Sequence, residues 1–494
     1  MEGASVPLTG GLYRIGPQRY GCRFLPPQGP HVATEQKIMK CRAIITAIAA
    51  MLLAQPGQAL DPSQSISQLR HSRWTLKDGA PGNVRALAQG KDGYLWLGSS
   101  TGLYRFDGIR FERMLADRDD PRRSLQVTAL LAALSTPALA EVTIDVIGGS
   151  EVSFEGLVQA DGNWFDNDVA DLNGPGRSDS ESELRRAELI VKGKGPGMLS
   201  WVVGYDAKAD KFLDTNVAWK FNSGATLTVG QYKQPNSMEE LSSTKNNDFI
   251  SKATATNTFA VSRRLGAQLA TGGDNWGLAG SVFSRELTDG AHGPGFGLRG
   301  YFSPIKAEGQ LLHLGLSFVD LDTDADSLRL RARPQADLAT VRLADTGTLA
   351  DTDRQRTLGA EAAWVNGPVK LQAEYFTSTV DRYASAGDFT GDAWYVSGLW
   401  NVTGETWGYK NGVIATARPN APASGMWQLG LRYDAINLDD GSVLGGEMNS
   451  LTAGVNWYLR SNFKLSMNYV MVDSDRRGIQ DDPNILEARA SFFW

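Results

Sequence analysis

The sequence predicts an all-β chain that closes into a transmembrane antiparallel barrel, and three observations lead there. From Glu141 to Trp494 apolar and polar residues alternate with period two through one segment after another, separated by turn-rich breaks. The 54 glycines in 494 residues, with 13 Trp, 14 Tyr and 18 Phe, supply the turns and the aromatic-rich strands of such a fold. No run of about 18 apolar residues occurs, which excludes a membrane helix, whereas the strands of a barrel alternate and leave no such run.

Taken in order, residues 1–38 are rich in Gly and Pro, lack periodicity and read as an unstructured upstream segment. Residues 39–59, MKCRAIITAIAAMLLAQPGQA, have a basic start at Lys40 and Arg42, an apolar run and the small-residue site Gly57-Gln58-Ala59, the pattern of a secretory signal. Residues 114–140 carry a second one, with Arg122 and Arg123 ahead of the apolar run Leu125–Leu134 and the site Ala138-Leu139-Ala140. One signal suffices for export, so two imply joined pieces of two genes or a misplaced start, and the functional chain is expected to begin near Glu141. Between them, 60–113 holds two short strands around Asp92-Gly93 and a third ending at Phe106-Asp107-Gly108. Through Asp92-Gly93-Tyr94-Leu95-Trp96-Leu97-Gly98 and Gly102–Gly108 this stretch resembles one repeat of the two-component-regulator β-propellers. A propeller closes by repetition of several blades, so the segment reads as an isolated remnant.

Side-chain chemistry narrows the function. Cys22 and Cys41 both precede the first cleavage site, so a processed product carries no thiol, disulfide or Cys-based metal site. His31, His71, His292 and His313 are scattered, leaving little for a zinc centre or a Ser-His hydrolase, and no cofactor is expected. With 49 Lys+Arg against 55 Asp+Glu the chain has formal charge -6, which argues against nucleic-acid partners.

The barrel segment is 141–494. Leu312, Leu314, Leu316 and Phe318 oppose His313, Gly315 and Ser317; Val369, Leu371, Ala373 and Tyr375 oppose Lys370, Gln372 and Glu374; Leu486, Ala488, Ala490 and Phe492 oppose Glu487, Arg489 and Ser491. A soluble sandwich alternates in the same way. The export signals, cations as large as Lys220, Arg299 and Lys370 on the polar faces, and the aromatic last strand favour the barrel. The segment allows about 22 residues for each of sixteen strands with its connection. Roughly seventeen candidates can be drawn, and an even number is expected for a bacterial single-chain barrel.

Within this segment three basic features stand out. In SLRLRARP at 327–334, Arg329, Arg331 and Arg333 share one face of a strand and Leu328, Leu330 and Ala332 the other, so guanidinium groups recur about every 6.7 Å. At an effective dielectric of 20 and about 5 Å, each attracts a unit anion by roughly 3 kcal/mol before desolvation. An ordinary solvated basic face would show the same spacing. In ESELRRAEL at 181–189, alternation with Ala187, Leu189 and Val191 turns Arg185 toward lipid and Arg186 toward the lumen, unless a bend turns both inward. The stretch from Pro235 to Arg263 is too long for a simple hairpin and therefore reads as functional. It carries Lys245 and Lys252 as cations and Ser242, Ser243 and Thr256 as hydroxyl donors, and Arg264 opens the next strand on the lumen face. Two other motifs fail: VDLDTDAD at 319–326 lacks the glycine and glutamate of a calcium loop, and GKGPG at 193–197 is a turn.

VGQYKQPNSMEELSSTKNNDF at 229–249, SRRLG at 262–266, LGAEAAWVNGP at 358–368, NVTGETWGY at 401–409, MWQLGLRYDAINLDDG at 426–441 and LTAGVNWYL at 451–459 resemble the phosphate-selective porins of Gram-negative outer membranes. The resemblance covers 141–494. It implies a homotrimer of sixteen-stranded barrels in outer-membrane lipid and lipopolysaccharide, and a terminal aromatic, here Trp494, that marks the chain for outer-membrane assembly. It further implies an arginine ladder, an arginine pair on an early strand and a loop folded inward to make the constriction. In that loop a lysine with nearby hydroxyls, an arginine just after it and an inward aspartate line the phosphate site; Lys252, Thr256, Arg264 and Asp214 are the nearest positions, and the serine pair beside Lys245 competes. The function so implied is passive diffusion of inorganic phosphate or polyphosphate-like anions. A general anion or small-solute porin lacking the selective site is the alternative within transport. A propeller-bearing sensor would need further blades, and a barrel lipase a Ser-His pair at the rim.

Overall fold

The computed structural model describes residues 150–494 apart from 196, 289, 384–386, 418 and 421–423, together with 142–146 and separate stretches between 75 and 114. The upstream segment 1–38 and the signal-like segments at 39–59 and from 115 through 140 lie outside the described residues. Val84–Gln89, Leu95–Ser99, Gly102–Phe106 and Phe111–Met114 pair in sequence order as a four-stranded antiparallel meander. The strands expected around Asp92-Gly93 and before Gly108 are present, and Phe111–Met114 adds a fourth whose Phe111 stacks on Phe106 with centroids 4.2 Å apart.

Sixteen antiparallel strands close into one barrel. They are β1 (Ser150–Asp166), β2 (Ser180–Lys194), β3 (Leu199–Asp206), β4 (Lys211–Lys220), β5 (Thr226–Lys233), β6 (Arg263–Gly272), β7 (Trp276–Phe283) and β8 (Gly295–Ala307), then β9 (Gln310–Asp322), β10 (Thr352–Asn366), β11 (Val369–Arg382), β12 (Phe389–Asn401), β13 (Met426–Asp440), β14 (Val443–Arg460), β15 (Phe463–Arg476) and β16 (Asn484–Phe493). β16 pairs with both β15 and β1, which removes every free edge. Val142–Val146 and Ile479–Asp481 extend the β16 column at its two ends.

The sidedness of the alternation separates a barrel from a sandwich. On β9 Leu314 and Leu316 are exposed while His313 and Ser317 on either side of them are buried, and on β16 Glu487 and Arg489 are buried while Leu486 and Phe492 are exposed. Apolar side chains thus face outward and polar ones inward, the reverse of a water-soluble core and the arrangement a lipid surround requires. Trp219, Trp276, Trp364 and Trp400 are among the exposed aromatics.

At the closure a side chain at position 156 would place its first carbon 2.1 Å from the Trp494 ring, while the Gly156 and Trp494 backbones exchange two hydrogen bonds of 3.2 Å. The β1–β16 seam therefore requires glycine there. Gly156→Val is expected to lower the temperature at which the folded band on a detergent gel converts to the unfolded one, and an unchanged conversion would show that the ring finds room elsewhere.

Among the described residues three long connections pack inside the barrel, and Leu172 of the shorter one between β1 and β2 joins the same core. Those between β5 and β6 (residues 234–262) and between β9 and β10 (323–351) come from one rim, and that between β12 and β13 (402–425) comes from the other. The first is the inward loop that the family resemblance implies. Its Phe249 rests over Gly430 and Gly454, where a side-chain carbon would stand 3.1 and 3.2 Å from the ring. Trp407 and Ile414 of the third connection pack with Met238 and Phe249 of the first.

The second connection corrects the sequence reading. SLRLRARP is not a wall strand: Ser327–Leu328 and Arg331–Ala332 make two-residue pairings with Leu349–Ala350 and Ala344–Asp345 inside the loop. The alternation itself holds, since Leu330, Ala332 and Pro334 are buried while Arg329, Arg331 and Arg333 are exposed. Leu330 and Ala332 join a core with Ala253, Ala255 and Phe259 of the first loop and with wall residues such as Phe376 and Phe389. The period-two pattern is therefore that of a loop lying flat on an apolar cluster, with its cations on the other side.

Candidate functional site: a cation-lined narrowing

The base of the first inward loop is closed by Asn236, whose side chain donates to the Val261 carbonyl at 2.8 Å and accepts from its N–H at 3.0 Å. Ser237, with φ 47°, then turns the chain into α1 (Met238–Leu241) and caps it by accepting from the Glu240 N–H at 3.0 Å. Glu374 on β11 accepts from the Met238 and Glu239 N–H groups at 3.0 and 2.8 Å, so a wall carboxylate satisfies the open helix end. Further on, Asp434 on β13 accepts from the Thr254 N–H at 2.9 Å at the start of α2 (Thr254–Phe259).

Two buried wall arginines tie this loop to the second. Arg432 on β13 donates to the Ser251 carbonyl at 3.0 Å, to the Gln335 amide oxygen at 2.6 Å and to Asp434 at 2.8 Å, while Gln335 also bonds Thr254. Arg489 on β16 donates to the Ile250 carbonyl at 2.6 Å, holds Asp161 at 2.7 and 2.6 Å, and lies 3.5 Å from Asp337. Each bridges a carbonyl of the first loop and a side chain of the second, so the wall fixes the distance between the loops.

Between the loops and β2 lies a cavity of about 240 Å³. Arg185 and Arg186 reach it from β2, Lys252 from the first loop, and Arg331, Arg333 and Arg342 from the second; Asp337 is the single carboxylate among its described lining residues. Arg185 faces inward because the β1–β2 register shifts there. Gln159 opposes Arg186 and Ala160 opposes Leu184, so Arg185 is the extra residue of a bulge. Simple alternation had turned it toward lipid. Arg186 donates to Gln159 at 2.8 Å and lies 3.5 Å from Glu188, and Arg185 donates to Asp337 at 3.3 Å.

Lys252 is ion-paired with Glu240. Burial raises the Glu240 carboxyl, but Lys252 and Lys233 overcome this and hold it at about 2. Arg342 differs from the other cations. It has a buried Nη1 without a hydrogen-bond partner, and burial, with Arg333 and Arg331 close by, pushes its guanidinium down to about 10, still charged at neutral pH. A buried guanidinium nitrogen left unsatisfied is costly. An anion in the cavity would remove that cost.

Other sequence candidates lie apart from this cavity. Arg329 turns to Asp345 at 2.8 Å. Thr256 is buried inside α2, and Thr254 and Thr258 line the cavity instead. Arg264 donates to the Arg263 carbonyl at 2.9 Å and lies 3.9 Å from Glu286, and it is Arg263 that reaches Asp214 at 3.0 Å. Lys245 is 3.6 Å from Glu155, Ser243 precedes the short turn Thr244–Asn246, and the Ser242 carbonyl accepts from Lys233 at 2.7 Å. Arg342, Asp337, Arg432 and Arg489 were not singled out from sequence. Arg342 sits alone between Val341 and Leu343, and the other three gain meaning only when strand, wall and loop meet.

A closed sixteen-stranded barrel with an apolar outer surface, a polar interior and loops packed inside it defines an outer-membrane porin. Residues 158–494 match the family described as phosphate-selective porin O and P, and the chain belongs to that family. The family places it in the Gram-negative outer membrane. An uncharacterized protein of Caulobacter vibrioides is 30% identical over 320 residues, 59% of this chain and 63% of that protein, so the chain spans less than two thirds of this relative's length. Porin O of Pseudomonas aeruginosa is 24% identical over 411 residues, 71% of this chain and 93% of that one. Among solved structures, OmpT of Vibrio cholerae matches with TM-score 0.49 at 11% identity, over 72% of this chain and all of that one. An anion-selective porin from Comamonas acidovorans matches with TM-score 0.45 at 12% identity, over 69% of this chain and all of that one.

Proposed function

We propose that the chain is a passive, anion-selective channel that favours phosphate or polyphosphate-like anions, and that the cavity between the two inward loops is where the anion binds. The observation that carries this reading is Arg342, a half-buried cation whose buried Nη1 has no hydrogen-bond partner, in a space shared with five further cations and one carboxylate. Moderate attraction by several such groups draws an anion in without trapping it, as conduction requires. Arg185, Arg186, Arg331 and Arg333 supply the path, and Lys252, tied to Glu240, borders it. Protein in a planar bilayer under a salt gradient is expected to give a reversal potential near that of the anion. A potential near that of the cation would exclude the reading.

The exposed apolar belt is the surface for outer-membrane lipid and lipopolysaccharide, and the channel works as a homotrimer, the outward tryptophans serving membrane girdles or subunit contacts. Unheated samples should migrate on detergent gels as a species that boiling converts to the monomer. Solubility without detergent would contradict the barrel's membrane role.

A further inference from the structure

On the outward face of β9–β11 small residues meet. The register sets Ala360 between Leu316 and Tyr375, and Ala362 between Leu314 and Ala373. The exposed side chains of Leu314, Leu316 and Tyr375 stand on either side of this alanine floor, and the result is an open apolar groove of about 990 Å³ on the outer wall. Farther along the same outward face of β10 come Leu358, Arg356 and Arg354. Arg356 is four residues from Ala360, or about 13 Å along the strand. It is exposed, donates to Asp320 at 3.3 Å and pairs with Asp381 at 2.7 Å, while Arg354 pairs with Asp320. These arginines stand at the outer rim, because the opposite strand ends are joined by the two-residue turns 308–309 and 367–368, and bacterial barrels keep their short turns on the periplasmic side.

A groove for an acyl chain beneath two guanidinium groups fits a phosphorylated lipid, and the arginine fork matches phosphate geometry. The outer leaflet supplies one such lipid, lipopolysaccharide. Asp322 and Asp381 beside the arginines suit it too, since its phosphates carry divalent cations that a carboxylate can share. A second groove on the outer wall, over Gly398 and Ala453, instead has Glu447 and Asp475 facing outward toward the rim. Resting on the reading of the apolar belt as the lipid surface, we propose that the outward face of β9–β11 is a lipopolysaccharide-binding site, with Arg354 and Arg356 holding a lipid A phosphate and one acyl chain lying in the groove over Ala360 and Ala362. The anion cavity inside the barrel takes no part, because both arginines face away from the lumen.

The test uses the full chain refolded in detergent free of lipopolysaccharide, with magnesium present, and native mass spectrometry to follow binding of bisphosphorylated lipid A, lipid A stripped of both phosphates, and phosphatidylglycerol. Lipid A should bind saturably to the wild type, about tenfold or more tighter than the stripped form, the amount that charge-assisted hydrogen bonds to a phosphate supply. The double variant Arg354→Gln, Arg356→Gln should lose this difference, and Ala362→Phe, which fills the groove from the lipid side, should weaken both forms of lipid A; a heat-modifiable band on detergent gels checks that each variant is folded. Equal wild-type affinity for lipid A and the stripped form, a comparison that needs no variant, would overturn the proposal. So would phosphatidylglycerol bound as tightly as lipid A, which would make the groove a general acyl slot, or subunits separated by Ala362→Phe with lipid A binding unchanged, which would put a second copy of the chain on this face. A chain soluble without detergent would overturn the lipid-surface reading itself, and the proposal with it.

Discussion

Replacing Arg331, Arg333 and Arg342 together by glutamate is expected to turn an anion-selective channel into a cation-selective one. The wild-type cavity presents six cations and one carboxylate; the triple variant would present Arg185, Arg186 and Lys252 against Asp337 and three new carboxylates. Inverting the sign of a narrow, low-dielectric passage changes local ion concentration by one to three orders of magnitude, so the anion-to-cation permeability ratio should change by more than about tenfold. The effect should shrink as ionic strength rises and screening shortens. Arg331 and Arg333 lie on the solvent side of the second loop, opposite the buried Leu330 and Ala332, and Arg342 is half-buried between Val341 and Leu343, so none of the three belongs to the loop core. Arg329→Ala is the contrast: Arg329 is exposed and paired with Asp345, and its loss should shift the reversal potential little. A triple variant as anion-selective as the wild type would remove the second loop from the conducting path.

Arg432→Met is expected to have the largest effect on stability and to widen the channel. Arg432 is fully buried, and its removal leaves Asp434 charged and unpaired while releasing the Ser251 carbonyl and Gln335. Breaking a buried pair in this way costs about 3–5 kcal/mol. Both loops then lose one of the two wall anchors that set their spacing, Arg489 being the other, so conductance should rise and phosphate block weaken by at least about tenfold, alongside a lower unfolding midpoint. Adding Asp434→Leu should recover part of the stability, because of the two carboxylates paired with Arg432 only Glu239 then remains, but not the block, because the Thr254 N–H has also lost its acceptor. Wild-type conductance in Arg432→Met would show that the loops are held elsewhere.

The barrel was legible because period-two alternation is local: each strand carries its own record of which face meets lipid, from Leu314 and Leu316 to Leu486 and Phe492. The same rule misplaced SLRLRARP. Alternation records that one face is buried, and not whether it is buried against a barrel wall or, as for Leu330 and Ala332, against another loop. It also turned Arg185 outward, because a bulge is set by pairing with Gln159 and Ala160 on the neighbouring strand. Arg331, Arg333, Arg186 and Lys252 could be chosen by charge and context. Arg342 and Asp337 lie within a few residues of the ladder, yet they become part of one site only when the second loop folds onto the first. Thr256 and Arg264 were carried by position in a motif, and a shift of one or two residues within a short helix or at a strand start is enough to move a side chain out of the cavity.

The most direct test of the central claim, that the cationic cavity between the two loops binds phosphate in the conducting path, is titration of phosphate into a chloride current carried by the wild type and by Arg342→Ala in the same salt. Saturable block of the wild type, with the half-block concentration raised by about tenfold or more in Arg342→Ala, is the expected result. Current that phosphate leaves unchanged, or block that is identical in the two proteins, would contradict it.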